Sequence, residues 1–349
     1  MSVTGQYYGT TFSNSETDFA RKSAFLSNHA GTPVQQLLKM GMNKRLMITL
    51  AVAMFGRQGF AQTATRLDTT KVDQAIGAKG TWIEAEGVYK VTFPRSDVKV
   101  SIDGRAMEPF MGLTSWAAFQ SGKAAEAMVM GDLVLFQDEV NPAMSAALDN
   151  GLSVTALHNH FFFDDPKVFF MHIAGEGPTD RLAAAVRSAM DAAQGVRKSQ
   201  PEPTKSFGVS TVPAASAITA QPLEEILGMK GQSKNGMFKV VLGRTVKMSC
   251  GCSVGKEMGV NTWAAFAGTD EQALVDGDFA CLPGELQPTL KALRKSGINV
   301  VAIHNHMEDE SPRVIFLHYW GIGRASELAT SIKSALQAQQ ASGAEKKVP

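Results

Sequence analysis

The 349-residue chain contains one unit twice. TSWAAF at 114–119 recurs as NTWAAF at 261–266, Gly131-Asp132 as Gly277-Asp278, LHNH at 157–160 as IHNH at 303–306, and DPKVFFMH at 165–172 as SPRVIFLH at 311–318. From Asp132 onward the offset is a constant 146 residues, and it is 147 at the Trp, so one residue was gained or lost between the two anchors. A repeat of this kind fixes the architecture before any local propensity is read, because each copy must be one supersecondary unit of the same design.

The copies run over 68–197 and 222–341, joined by a Pro-, Ser-, Thr- and Ala-rich linker over 198–221 and followed by a tail over 342–349. Each copy orders as a short helix, strands such as GVYKVTF and FKVVLG, the WAAF strand, a strand through Gly-Asp, and a helix ending near Gly151 or Gly297. Two further strands and a closing amphipathic helix follow. Strands and helices mixed without strict alternation predict an α+β fold of two tandem homologous repeats, each a mainly antiparallel sheet with two to three helices.

Residues 42–61, MNKRLMITLAVAMFGRQGFA, carry the three parts of a secretory signal peptide. Lys44 and Arg45 open it, ten uncharged and mostly apolar residues follow, and Gly59-Phe60-Ala61 provides small residues at −3 and −1. The apolar run is half of the roughly 20 residues that a membrane-spanning helix needs. The expectation is an exported, periplasmic or secreted protein with no transmembrane segment after signal removal. Residues 1–41 then read as a non-native or disordered extension, with the true start at Met42 or Met40. No cysteine stands beside the cleavage site to take a lipid anchor.

Composition matters here mainly for what it excludes. With 34 Lys and Arg against 33 Asp and Glu, nothing in the charge balance calls for a nucleic-acid partner. Removing residues 1–61 takes away six basic and two acidic residues and leaves a slightly acidic remainder. The three cysteines are too few for a disulfide framework. In an oxidising compartment one of Cys250 and Cys252 pairs with Cys281, with buried thiols or a soft-metal site as the alternatives.

Of the seven histidines only His29 lies outside the repeated motif. The other six form two triads: His158, His160 and His172, then His304, His306 and His318. Alternation along a strand puts His158 and His160 on one face. A hairpin turning at Asp165-Pro166 sets His158 opposite His172, with His160 diagonal to them, and a turn at Ser311-Pro312 does the same for His304 and His318. Three imidazoles converging on one sheet face suit a divalent metal, zinc first, with copper, nickel and iron also served by nitrogen ligands. Three protein ligands and an open fourth position are the catalytic-zinc arrangement, a likeness to zinc carbonic anhydrases limited to local geometry. The letters H-N-H do not make a nuclease motif, which is a dispersed ββα-metal pattern.

Glu139 and Glu285 share one repeat position before the helix that leads to the His strand. They are candidate catalytic bases or fourth ligands, or else first-turn carboxylates favoured by the helix dipole. Asp132 and Asp278 read as turn residues or as partners orienting a histidine. Asn159 and Asn305 face away from the histidines, the Gly175-x-Gly177 and Gly321-x-Gly323 pairs read as tight turns, and Trp116 and Trp263 read as core.

The W-A-A-F, G-D, A-[LI]-H-N-H and F-[ML]-H-[IY]-x-G-x-G motifs, present twice, resemble the LppY/LpqO family of bacterial exported proteins over residues 68–341. That resemblance implies export and duplication and names no reaction. The residues themselves support three functions: a metal-dependent hydrolase or hydratase, a non-catalytic periplasmic metal-handling protein, or a cell-envelope module. In the last, the histidines would contact an unidentified small-molecule or envelope ligand.

Overall fold

The first repeat begins with helix α1 (Thr69–Ile76), followed by strands β1 (Thr81–Ile83), β2 (Val88–Pro94), β3 (Val100–Ile102), β4 (Arg105–Met107), β5 (Thr114–Ser121) and β6 (Ala127–Phe136). Helix α2 (Gln137–Asp149), strands β7 (Ser153–His158), β8 (Asp164–Asp165) and β9 (Val168–Gly177), and helix α3 (Thr179–Ser199) complete it. The second repeat follows the same order: α4 (Ala220–Leu227), β10 (Gln232–Lys234), β11 (Met237–Gly243), β12 (Val246–Lys247), β13 (Ser253–Val254), β14 (Asn261–Gly268), β15 (Ala273–Cys281), α5 (Pro283–Lys295), β16 (Asn299–His304), β17 (Ile315–Gly323) and α6 (Ala325–Glu345). This computed structural model describes residues 67–206 and 212–345. The extension 1–41 and the signal segment 42–61 lie outside the described residues. Helices α3, α4 and α6 run into the stretches that the sequence assigns to linker and tail.

The fold is α+β with tandem repeats, as the sequence implied. The sheets of the two repeats are continuous. Twelve strands form one antiparallel sheet in the order β1-β2-β5-β6-β9-β7-β16-β17-β15-β14-β11-β10. The copies meet at its centre, where β7 and β16 pair through Leu157 and Ile303. Ladder formation across the join is short, and side chains extend it. Asn141 of α2 bonds both backbone groups of Val300, and Gln287 of α5 bonds both backbone groups of Val154.

Strict alternation explains which face each strand buries. Along β14, Thr262, Ala264, Phe266 and Gly268 are buried while the residues between them stay half-exposed. One face of the sheet is covered by helices, and Phe119, Val129, Met171, Phe266, Val275 and Leu317 join helix residues such as Val186, Leu290 and Ile332 in a core that spans both repeats. Two smaller clusters cover part of the other face. One contains Val100, Leu113, Phe136 and Phe170, and the other Val246, Val260, Val314 and Phe316. Between those patches the face is open, and the histidines stand there. Among the described residues no helix is long and apolar enough to cross a membrane.

Candidate metal centre

The repeated Gly-Asp pair places a carboxylate on the open face. Glycine takes the side crowded by the core: a Cβ at Gly277 would stand 2.2 Å from the Tyr319 hydroxyl and 2.3 Å from the Trp263 carbonyl. Tyr319 Oη uses that space to donate to the same carbonyl at 3.0 Å. The next residue, Asp278, therefore faces the other way and sits across the ladder from His318. Asp132 faces His172 in the same register. The aspartates are strand residues at the centre of each site. The Gly-Asp recurrence was the visible signal for them, and its reading as a turn is corrected by the ladder.

In the second repeat, ligand atoms of Asp278, His304 and His306 lie within 4.8 Å of one another, the one such cluster among the described residues. The Nε2 atoms of His304 and His306 are 3.1 Å apart, and His306 Nε2 is 3.7 Å from Asp278 Oδ2. The His318 ring stacks on His304 with centroids 4.9 Å apart. His306 lies flat on Phe316, centroids 3.5 Å apart, which fixes its ring plane. Burial, reinforced by the charges of His318 and His306, lowers the pKa of His304 to about 4, so it is neutral and ligand-ready at neutral pH. His306 is also lowered, chiefly by burial, while its bond to the Gly259 backbone works the other way. Burial raises Asp278 to about 7 against the opposing pull of His318. Asp278 Oδ1 and His304 Nδ1 are buried without a hydrogen-bond partner. A cation held by the Nε2 atoms and the Asp278 carboxylate would satisfy the acidic oxygen, with His304 Nδ1 then carrying its ring proton.

The first repeat reproduces the set less tightly. His172 Nε2 and His158 Nε2 are 3.0 Å apart, and His160 stacks on Phe170 with centroids 3.4 Å apart. Asp132 Oδ1 is buried and unpartnered. Burial and the neighbouring His158 lower His160, against the opposite effect of Asp132. Because Leu157 and Ile303 pair at the join and both face the core, His158 and His304 share the opposite face on neighbouring strands. His158, His172, His304 and His318 thus share one face of one sheet, with His160 and His306 in the adjoining loops.

The strand register differs from the hairpin expected from sequence. His158 pairs with Phe170 and His172 with Ala156, and in the second repeat His304 pairs with Phe316 and His318 with Ala302. Register irregularities follow Val154 and Val300, the His strands end at His158 and His304, and His160 and His306 stand in the loops beyond. The slip amounts to two residues, which keeps the strand histidines His158, His172, His304 and His318 on their original face, whereas a slip of one would have dispersed them.

Glu139 and Glu285 are corrected as catalytic candidates. Both are buried at helix starts, where Glu139 accepts from Phe136 N–H at 2.9 Å and Glu285 from Leu282 N–H at 2.9 Å. Arg95 grips Glu139 with two bonds of 2.6 and 3.0 Å, Arg197 Nε stands 2.8 Å from it, and Arg244 holds Glu285 at 2.8 Å. A carboxylate saturated by guanidinium and backbone donors is neither a free base nor a ligand. Neither glutamate belongs to the metal cluster.

Trp116 and Trp263 lie half-exposed on the open face, each beneath a lysine, so their assignment to the core is also corrected. Cys250 and Cys252 are exposed and Cys281 is buried, and all three are free thiols, without the expected disulfide. Asn159 Nδ2 donates to the Val168 carbonyl at 2.8 Å, a structural role.

No curated protein sequence matches the chain. Three solved structures show distant likeness. A trimeric bacterial microcompartment shell protein, PduB, is 12% identical with TM-score 0.18, over 77% of this chain and 94% of that one. EtuB from Clostridium kluyveri is 10% identical with TM-score 0.20, over 75% and 91%. A double-ringed trimeric shell protein of the RMM microcompartment is 12% identical with TM-score 0.17, over 72% and 97%. TM-scores this low carry no argument about fold or function. The profile of one protein family matches residues 70–192 and 221–338, more than half of the chain and one match per repeat. The chain belongs to the family described as Domain of Unknown Function (DUF1259).

Proposed function

We propose that this protein binds divalent metal, zinc first, through His304, His306, His318 and Asp278 in one repeat and through His158, His160, His172 and Asp132 in the other. The observation that carries the reading is the convergence of Asp278, His304 and His306 on one point, with the buried Asp278 Oδ1 left unpartnered. Imidazole and carboxylate ligands suit zinc. Stacking of His306 on Phe316 and its bond to the Gly259 backbone supply the orientation that metal-binding imidazoles need.

The capture of Glu139 and Glu285 by arginines removes the general base on which a hydrolase or hydratase reading relied, so metal binding without assigned chemistry is the function best supported. The signal-like segment 42–61 and the repeated W-A-A-F, G-D and H-N-H motifs support an exported protein of the LppY/LpqO kind, acting in the periplasm or outside the cell. Edman sequencing of protein recovered from the culture medium or periplasm tests export, with Gln62 as the expected first residue.

Metal analysis of the purified full chain tests the central claim. Stoichiometric zinc, up to two ions per chain, is expected, with loss of one site in His304→Ala and in His306→Ala. A chain that holds no stoichiometric metal, and whose zinc titration is unchanged by both substitutions, overturns it.

A further inference from the structure

A cavity of about 620 Å³ opens directly onto the metal cluster of the second repeat, with Asp278 and His306 in its wall. Its other walls combine two chemistries. Trp263 and Val241 provide apolar surface, while Lys230, Lys239 and Lys256 bring three ammonium groups to its lining. Two of these are matched by carboxylates, Lys230 by Glu224 at 2.6 Å and Lys256 by Glu257 at 3.4 Å. Lys239 is not: among the described residues it has no carboxylate within ion-pair distance, and its Nζ is held 4.1 Å above the Trp263 ring. A cation fixed over an aromatic ring beside a cationic metal, in a pocket with an apolar wall, is complementary to an anion with a compact apolar body.

We propose that this cavity is the ligand site of the second repeat and that it takes a small organic carboxylate. The inference rests on the metal reading above. The carboxylate would face the metal bound by Asp278, His304, His306 and His318. Lys239 would balance its charge, aided by Lys256, whose pair with the exposed Glu257 is weakened by solvent, and its apolar body would lie against Trp263 and Val241.

The two repeats differ here in a way that supplies an internal control. Both keep the lysine over tryptophan, Lys90 standing 4.5 Å above Trp116. Before the WAAF strand, however, the second repeat has a short 3-10 turn of Lys256, Glu257 and Met258, where the first has Pro109, Phe110 and Met111. Pro109 stands where the second repeat has Lys256, and Phe110, 99% exposed, stands where it has Glu257. The first repeat therefore lacks the Lys256 ammonium group, and the carboxylate site is assigned to the second repeat.

Calorimetric titration of the full chain with benzoate, before and after zinc loading, tests the proposal. One benzoate per chain is expected on the zinc-loaded protein, weakened at least tenfold in the Lys239→Ala/Lys256→Ala double variant and in Lys256→Glu. Both lysines are exposed, so circular dichroism should show these variants folded. Benzoate that fails to bind the zinc-loaded chain, or binds the double variant as tightly, overturns the carboxylate site while leaving the metal reading intact. A chain that takes no zinc yet binds benzoate with the same lysine dependence sinks the metal reading and keeps the cavity assignment.

Discussion

Gln287 of the second repeat closes both backbone hydrogen bonds of Val154 in the first: its Oε1 accepts from Val154 N–H at 3.0 Å, and its Nε2 donates to the Val154 carbonyl at 2.8 Å. Asn141 does the same for Val300 in the opposite direction, at 2.9 and 3.3 Å. Val154 and Val300 are fully buried and stand beside the register shifts of β7 and β16, where the ladder leaves backbone groups in need of partners. Gln287→Ala should therefore cost about 1–3 kcal/mol of stability, the penalty for stranding buried polar groups. Denaturant unfolding measures it, and a loss within error of zero would show that water replaces the amide.

Glu139→Gln should destabilise the protein by about 3–5 kcal/mol, because it leaves the buried guanidiniums of Arg95 and Arg197 short of a counter-charge. Asp138 also binds Arg197 and limits the damage. Zinc stoichiometry of the folded fraction should be unchanged. Metal loss in a well-folded Glu139→Gln variant would restore this residue to the site.

Zinc affinity should rise with pH up to about 7 and flatten above it. Burial gives Asp278 a pKa of about 7, so below that pH the ion must displace a proton, at a cost of about tenfold in affinity per pH unit for one proton. His304, with its pKa lowered to about 4, is already neutral and adds no slope above pH 5. Asp278→Asn should lower affinity at pH 7.5 at least tenfold and remove the slope assigned to this carboxyl. Competition titrations at pH 6.0 and 7.5 give both numbers, and equal affinities for the parent chain at the two pH values would contradict the assignment.

Gly277→Ala should cost about 1–3 kcal/mol through overpacking, since the added methyl meets both the Tyr319 hydroxyl and the Trp263 carbonyl. It should also weaken zinc binding in the second repeat, because any adjustment of the backbone moves Asp278. At Gly131 the nearest atoms are the Trp116 carbonyl at 2.8 Å and Ile173 Cγ1 at 3.0 Å, so Gly131→Ala should be the milder change. Thermal unfolding of the two variants side by side tests the ranking.

The parts of this structure that were legible in the sequence are those governed by period and recurrence. Recurrence of WAAF marked one strand in each copy, and two triads at one offset marked which histidines belong together. What escaped depends on contacts between residues far apart in the chain. Pairing of Leu157 with Ile303, which merges the two repeats into one sheet, leaves no local trace. The register shift after Val154 is stabilised by an amide 133 residues away, so no reading of β7 alone could have found it. Glu139 looked like a base because its partner, Arg95, lies 44 residues upstream, just past the end of β2. The tryptophans looked like core because large aromatics usually are. Here the alanine next to each of them, Ala117 or Ala264, faces inward instead.

The β7–β16 join also bears on how such a chain could have arisen. A single repeat standing alone would leave β7 as a bare strand edge next to its histidines, a template for pairing with any other extended chain. Two identical copies would satisfy one another by meeting along that edge about a two-fold axis, which is the commonest form of homodimer. Tandem duplication turns that encounter into an event within one molecule, governed by the reach of the connection rather than by concentration. Once the halves are fused, their sequences are free to diverge. A charged rim can then develop around one histidine site and an aromatic rim around the other, an asymmetry that a dimer of identical subunits could not encode.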